Sequence, residues 1–179
     1  WMFRLFGHDD VAVLDGGLPK WTAEGRETED MAPLARDRHF VARRDATLVR
    51  DVTQVAMSIK LGDAQVVDAR AAERFEGAAP EPRAGLRSGH IPGARNVPFK
   101  SVLNDDGTMK DPADMRAVFE AAGVDLSKPV IASCGSGVTA CVLALALERS
   151  GHRDWSVYDG SWTEWGAYPD LAVETGPAR

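Results

Sequence analysis

The chain has 179 residues, 44% of them apolar and 27% charged, with a formal net charge of −6. That length suits one domain with its own core plus a remnant, and hardly two full domains. The acidic balance argues against nucleic acid or an anionic membrane as a partner, and no apolar run approaches the ~20 residues that span a bilayer.

The chain opens at Trp1 rather than Met and shows no signal peptide, so a fragment of a longer polypeptide is expected. Residues 11–21 run from Val11 through Asp15-Gly16 to Trp21. Residues 155–165 run from Trp155 through Asp159-Gly160 to Trp165. Each stretch places a short apolar strand before Asp-Gly and a Trp six positions after the Asp, and each follows a Gly-His pair, Gly7-His8 and Gly151-His152. An internal repeat is the simplest reading. Residues 1–29 are then the tail of an upstream copy whose body is absent. Residues 30–45, polar and charged with Pro33, form a linker, and 46–179 form the downstream domain.

Within that domain Leu48-Val49 opens an extended piece. Residues 51–60 carry helical apolar spacing (Val52, Val55, Ala56, Ile59), with Asp51 or Thr53 as cap. Residues 64–69 form a short apolar strand ending in a carboxylate, and residues 96–99 form another. Asp111-Pro112 starts a helix that places Met115, Val118 and Phe119 on one face and ends before Gly123. Residues 129–133 read as a buried strand, 139–149 as an apolar helix, and 155–158 as the last strand. Alternating strands and helices predict an α/β domain with a central, mostly parallel sheet flanked by helices.

Ligands in such sheets bind beyond the carboxyl ends of strands. Cys134 stands there, followed by Gly135-Ser136-Gly137-Val138-Thr139-Ala140. Gly135 and Gly137 allow a tight turn whose amides point inward, and the following helix adds positive potential. This cradle stabilises an anion, here a thiolate or a persulfide. Ser136 and Thr139 add hydroxyls. An inert core cysteine has no need of such a loop, so Cys134 is read as a nucleophile. Cys141, flanked by Ala140 and Val142, is read as core. The two cysteines give neither a disulfide framework nor a zinc site, and they fit a reducing, cytoplasmic setting. Cysteine-dependent phosphatases need an Arg six positions after the nucleophile to clamp phosphate. Ala140 occupies that position, which argues against phosphate chemistry.

These residues resemble the rhodanese superfamily. The resemblance is carried by Val66-Val67-Asp68-Ala69-Arg70, Gly89-His90-Ile91-Pro92-Gly93-Ala94, the loop from Cys134, and Tyr158-Asp159-Gly160-Ser161-Trp162. It covers essentially all of 45–179, and 1–21 resembles the end of another such domain. The chain therefore looks like the C-terminal, catalytic half of a two-domain sulfurtransferase, and the resemblance implies a rhodanese α/β fold. The neutral Gly135-Ser136-Gly137 resembles 3-mercaptopyruvate sulfurtransferases rather than thiosulfate enzymes, whose loops carry basic residues. The segment 74–83 matches the family's substrate-arginine segment, with Arg74 and Arg83 in place to hold a 2-oxo acid. Arg87 and Arg95 are read as solvated charges, and Asp68 with Arg70 as ordering a strand end. His90 is read as bonded to backbone, and Trp162 and Trp165 as packing.

The implied reaction is ping-pong sulfur transfer through a Cys134 persulfide, with Ser136 polarising the substrate or relaying a proton. A small-molecule sulfur donor, a thiol, thioredoxin-like protein or cyanide as acceptor, and the absent N-terminal domain are the expected partners. No metal or organic cofactor is expected. Two alternatives stand beside this: a thiosulfate sulfurtransferase, and a rhodanese-fold sulfur-carrier or binding module without turnover.

Overall fold

The computed structural model describes residues 1–34 and 36–178. Five strands, β1 (Val49–Arg50), β2 (Gln65–Asp68), β3 (Arg95–Asn96), β4 (Val130–Ser133) and β5 (Trp155–Tyr158), form one sheet in the order β1-β5-β4-β2-β3. Every pairing is parallel. The expected α/β architecture is present, with a sheet parallel throughout.

Local chemistry sets the longer helices. Two short helices, α1 (Met2–Leu5) and α2 (Gly17–Ala23), precede the sheet. Helix α3 (Val52–Leu61) begins with a reciprocal cap: the Asp51 carboxylate accepts from Gln54 N–H at 2.8 Å, and the Gln54 side chain accepts from Asp51 N–H at 3.0 Å. Helix α4 (Ala72–Phe75) is a single turn. Helix α5 (Pro112–Ala121) has Pro112 in its first turn, where a missing N–H is harmless. Helix α6 (Ala140–Arg149) follows β4, and α7 (Ser161–Trp165) follows β5. The strand expected over 96–99 is displaced: β3 ends at Asn96, and Phe99–Val102 form a 3-10 turn after Pro98. Pro98 has no N–H to extend the ladder.

Side chains alternate across the sheet and build two cores. Val67, Val130 and Ala132 face α5 and α6, packing with Met115, Phe119, Leu143 and Leu147. Val66 and Ile131 face the other way, packing with Val55, Phe75, Trp162 and Trp165. Burying one such aliphatic side chain contributes about 1.5–3 kcal/mol.

The connections place the site. From β2 the chain passes to β3 on one side, whereas from β4 it passes to β5 on the other. The crevice between the carboxyl ends of β2 and β4 is therefore a topological switch point, where ligands bind in open α/β sheets. Arg70 lies just beyond β2, and Cys134 lies just beyond β4.

Before β1, residues 26–34 and 36–45 form neither helix nor strand. The first residues nevertheless lie against the domain: Leu5 is buried, and Trp1 Nε1 donates to Leu48 O at 2.8 Å. The expectation of a solvated Arg87 is corrected. Its guanidinium donates to the carbonyls of Trp165, Gly166, Tyr168 and Leu171, so it ties the chain after α7 to the body. A carbonyl array of this kind leaves no mark in composition.

Candidate active site

Cys134 is 1% exposed, and its backbone is fastened on the outer side. Its N–H donates to Ser161 Oγ at 3.1 Å. Its carbonyl accepts from Trp162 N–H at 3.0 Å, and the Gly135 carbonyl accepts from Thr163 N–H at 2.8 Å. The first amides of α7, which no helical carbonyl can satisfy, thus bind the carbonyls of the loop. With the carbonyls of Cys134 and Gly135 turned toward α7, the loop has amides to spare. None of the N–H groups of residues 135–139 donates a hydrogen bond to the described residues. Together with the amino end of α6 they form a cradle for an anion.

Two local geometries make the loop possible. Gly137 has φ +82°, and a Cβ there would lie 2.7 Å from Asp159 O. Ser161 has φ +48°, an uncommon conformation for a residue with a side chain, and is fully buried. Its hydroxyl donates to Tyr158 O at 2.7 Å while accepting from Cys134 N–H, so two backbone groups hold it there. The sequence reading passed over Ser161. Its signal was its place straight after Asp159-Gly160 beyond β5, but a lone Ser in a turn is ordinary.

A cavity of about 260 Å³ opens over the loop. Cys134, Gly135, Ser136, Val138 and Thr139 form its floor, and Arg74, Arg83 and Glu81 stand on its wall. The structure therefore brings Arg74 and Arg83 to the Cys134 loop, from 60 and 51 positions away in sequence. Ser136 is exposed and lines this cavity; Gly137 and Ala140 are buried and do not. Cys141 is half-buried, its Sγ donating to Gly137 O at 3.3 Å, and burial pushes its thiol up.

Charge beside the cavity is tightly ordered. Arg70, 2% exposed, grips Asp68 through Nε and Nη2 at 2.8–3.2 Å, donates to Gly89 O, and lies over the Trp162 ring. Its Nη1 reaches Glu81 at 2.8 Å. Glu81, with 2% of its side chain exposed, also accepts from Nε and Nη2 of Arg74. The pairing of Asp68 with Arg70 agrees with expectation; the role of Glu81 was not anticipated. Arg83 donates to Thr163 Oγ1, which in turn donates to Gly135 O at 2.6 Å. His90 lies against Phe75 O at 2.9 Å through Nδ1, as its turn suggested. Among the described residues, no three His, Cys, Asp or Glu side chains gather to hold a metal. Among the described residues, no helix is long and apolar enough to cross a membrane.

A parallel α/β sheet with a cysteine among unpaired loop amides at its switch point defines a cysteine-centred α/β domain. Comparison with known proteins gives the family. The rhodanese-like domain model matches residues 51–168, and the chain belongs to that family. It is 43% identical to the 3-mercaptopyruvate sulfurtransferase of Homo sapiens over 181 residues, covering all of this chain and 61% of that one. It is 46% identical to the thiosulfate sulfurtransferase of Bos taurus over 179 residues, covering 98% of this chain and 60% of that one. The crystal structure of SseA from Escherichia coli, a 3-mercaptopyruvate sulfotransferase, superposes with a TM-score of 0.79 at 40% identity, over 90% of this chain and 60% of that one. The chain thus spans about three fifths of the length of these relatives.

Proposed function

We propose that this chain carries the sulfur-accepting site of a sulfurtransferase that draws sulfur from 3-mercaptopyruvate and passes it on through a Cys134 persulfide. The observation that carries the reading is the single cavity shared by Cys134, Ser136, Arg74 and Arg83. The arginines hold the carboxylate and carbonyl of the donor, and the cradle amides stabilise the thiolate before attack. The Cys134 thiolate attacks the donor sulfur. The carbon–sulfur bond breaks, and its electron pair leaves on the pyruvate enolate. The enolate takes a proton, with Ser136 as the hydroxyl in place to relay it, and departs as pyruvate. The persulfide then passes its outer sulfur to a thiol, a thioredoxin-like protein or cyanide, which restores the thiolate.

Identity alone does not choose the donor, since relatives named for each lie within a few per cent of one another. The neutral Gly135-Ser136-Gly137 favours a mercapto acid; the similarity to the bovine relative keeps thiosulfate as the second reading. Residues 1–29 are proposed to close an upstream repeat, with 30–45 as linker and 46–179 as the catalytic domain. An upstream domain is the natural cover for Met2, Phe3, Val13, Leu14 and Leu18, all more than half exposed. Both cysteines are free thiols, in keeping with a reducing compartment such as the cytoplasm.

The test is intact mass after adding 3-mercaptopyruvate without an acceptor. One added sulfur is expected on the parent and none on Cys134→Ser. A sulfur gained equally by Cys134→Ser refutes the assignment. A parent that never gains sulfur from 3-mercaptopyruvate or thiosulfate, yet binds a protein partner, supports a binding module instead.

A further inference from the structure

We infer that Glu81 is the residue that sets the charge selectivity of the donor site, by holding Arg74 and cancelling half of the positive charge on the cavity wall. The inference rests on the donor-site reading of the cavity given above. Its support is the arrangement of buried charge. Arg70 and Asp68 neutralise each other beneath the site through three contacts of 2.8–3.2 Å. Arg70 gives Glu81 one further bond at 2.8 Å. The Glu81 carboxylate, almost wholly withdrawn from water, is then shared with Arg74, whose side chain is 28% exposed.

Two consequences follow for Arg74. Its Nε and Nη2 are directed at Glu81, and Nη1 donates to no described residue. One edge of the fork is thus turned inward, and the Nη1 N–H groups and the second N–H of Nη2 are left for a substrate. Its Nη2 also lies close to the loop, 3.1 Å from where a Cβ on Gly135 would be, so a larger residue at 135 would shift this end of the side chain by a few tenths of an ångström. The charge count follows. Arg74, Arg83 and Glu81 are the ionised side chains on the cavity wall, and they sum to one positive charge. Beyond Arg83 the surface dips again toward Asp159 and Glu164, two further carboxylates. A wall of net +1 with acidic neighbours suits a monoanionic carboxylate over a dianion, because the second negative charge meets no unshared cation.

Glu81 acts through Arg74 and is a positioning residue, so the test must separate selectivity from general damage. Pyruvate, a monoanionic 2-oxo acid, and sulfate, a dianion, are titrated by NMR into the parent, Glu81→Gln and Glu81→Asp, and the ratio of their dissociation constants is compared. The parent is expected to prefer pyruvate. Glu81→Gln removes the charge at nearly constant size and is expected to shift the ratio toward sulfate by about tenfold. Glu81→Asp keeps the charge and is expected to hold the ratio within about twofold of the parent. A merely structural role would weaken both ligands together and leave the ratio unmoved, and that result overturns the inference. A parent that binds sulfate as tightly as pyruvate overturns it without any variant. The persulfide reading is scored separately, by sulfur gain at Cys134. A moved ratio without sulfur gain sinks that reading and leaves the role of Glu81 standing.

Discussion

Replacing Gly137 by Ala should unfasten the nucleophile loop while leaving the sheet intact. The cost has two parts. A residue with a Cβ at φ +82° sits in the left-handed region, at about 1–2 kcal/mol. The new methyl would also lie 2.7 Å from Asp159 O and 3.0 Å from Asp159 Oδ1. The closer neighbour is backbone, so the turn between β5 and α7 must move. Displacement of that kind stores a further strain of about 1–3 kcal/mol, or relaxes by separating the loop from α7. Together these give a loss of about 2–5 kcal/mol and a fall in melting temperature of roughly 4–20 °C for a domain of this size. The displaced turn carries Ser161, Trp162 and Thr163, which hold the N–H of Cys134 and the carbonyls of Cys134 and Gly135. Sulfur loading of Cys134 should therefore slow by more than the stability loss alone explains. Thermal melts give the first quantity, and timed intact-mass measurements with 3-mercaptopyruvate give the second. A Gly137→Ala chain with the parent's melting temperature and loading rate would refute the reasoning.

Further expectations concern the same frame. Ser161→Ala leaves the buried N–H of Cys134 without its acceptor and should lower stability by about 1–3 kcal/mol, read from the urea midpoint; an unchanged midpoint would mean that the hydroxyl holds nothing. Arg70→Ala leaves Asp68 a buried carboxylate without its cation, and Glu81 with Arg74 alone, and should cost about 3–5 kcal/mol, while exposed Arg116→Ala should cost under about 1 kcal/mol in the same urea titration. Burial pushes both the Cys141 thiol and the Tyr158 phenol up from their ordinary values of 9.0 and 10.0. The folded chain then holds these protons more tightly than the unfolded chain does. Their contribution is complete below pH 9 and declines as pH rises above those ordinary values. The urea midpoint should fall between pH 8 and pH 10.5, and a rise would contradict the assignment. Cys141 should also react with iodoacetamide at pH 8 more slowly than a free thiol.

Much of this frame was legible in residue order. Asp51, and Asp111 with Pro112, announced helices because capping chemistry is local. The strands ending at Asp68, Ser133 and Tyr158 stood out as short apolar runs between breakers. The single-turn helices α4 and α7 did not stand out, because four or five residues are too few for a helical period to show. The strand expected to reach Phe99 stopped at Asn96 for a reason present in the sequence, Pro98, that was not weighed.

The site divides along the same line. The sequence by itself determined the loop after β4, since Cys134, Gly135 and Gly137 act through backbone conformations that a contiguous segment specifies, and it marked Cys134 as the candidate nucleophile. It also set aside phosphate chemistry through Ala140. Only the tertiary structure decided what surrounds that loop. Arg74 and Glu81 reach it because β2 and β4 are neighbours across a reversal of strand order, a long-range pairing that composition does not encode. Ser161 and the amides of α7 fasten it because β5 lies on the other side of β4. Contacts within a loop are written in its own residues; contacts between strand ends depend on how the sheet is ordered, and the sheet is ordered by the whole chain.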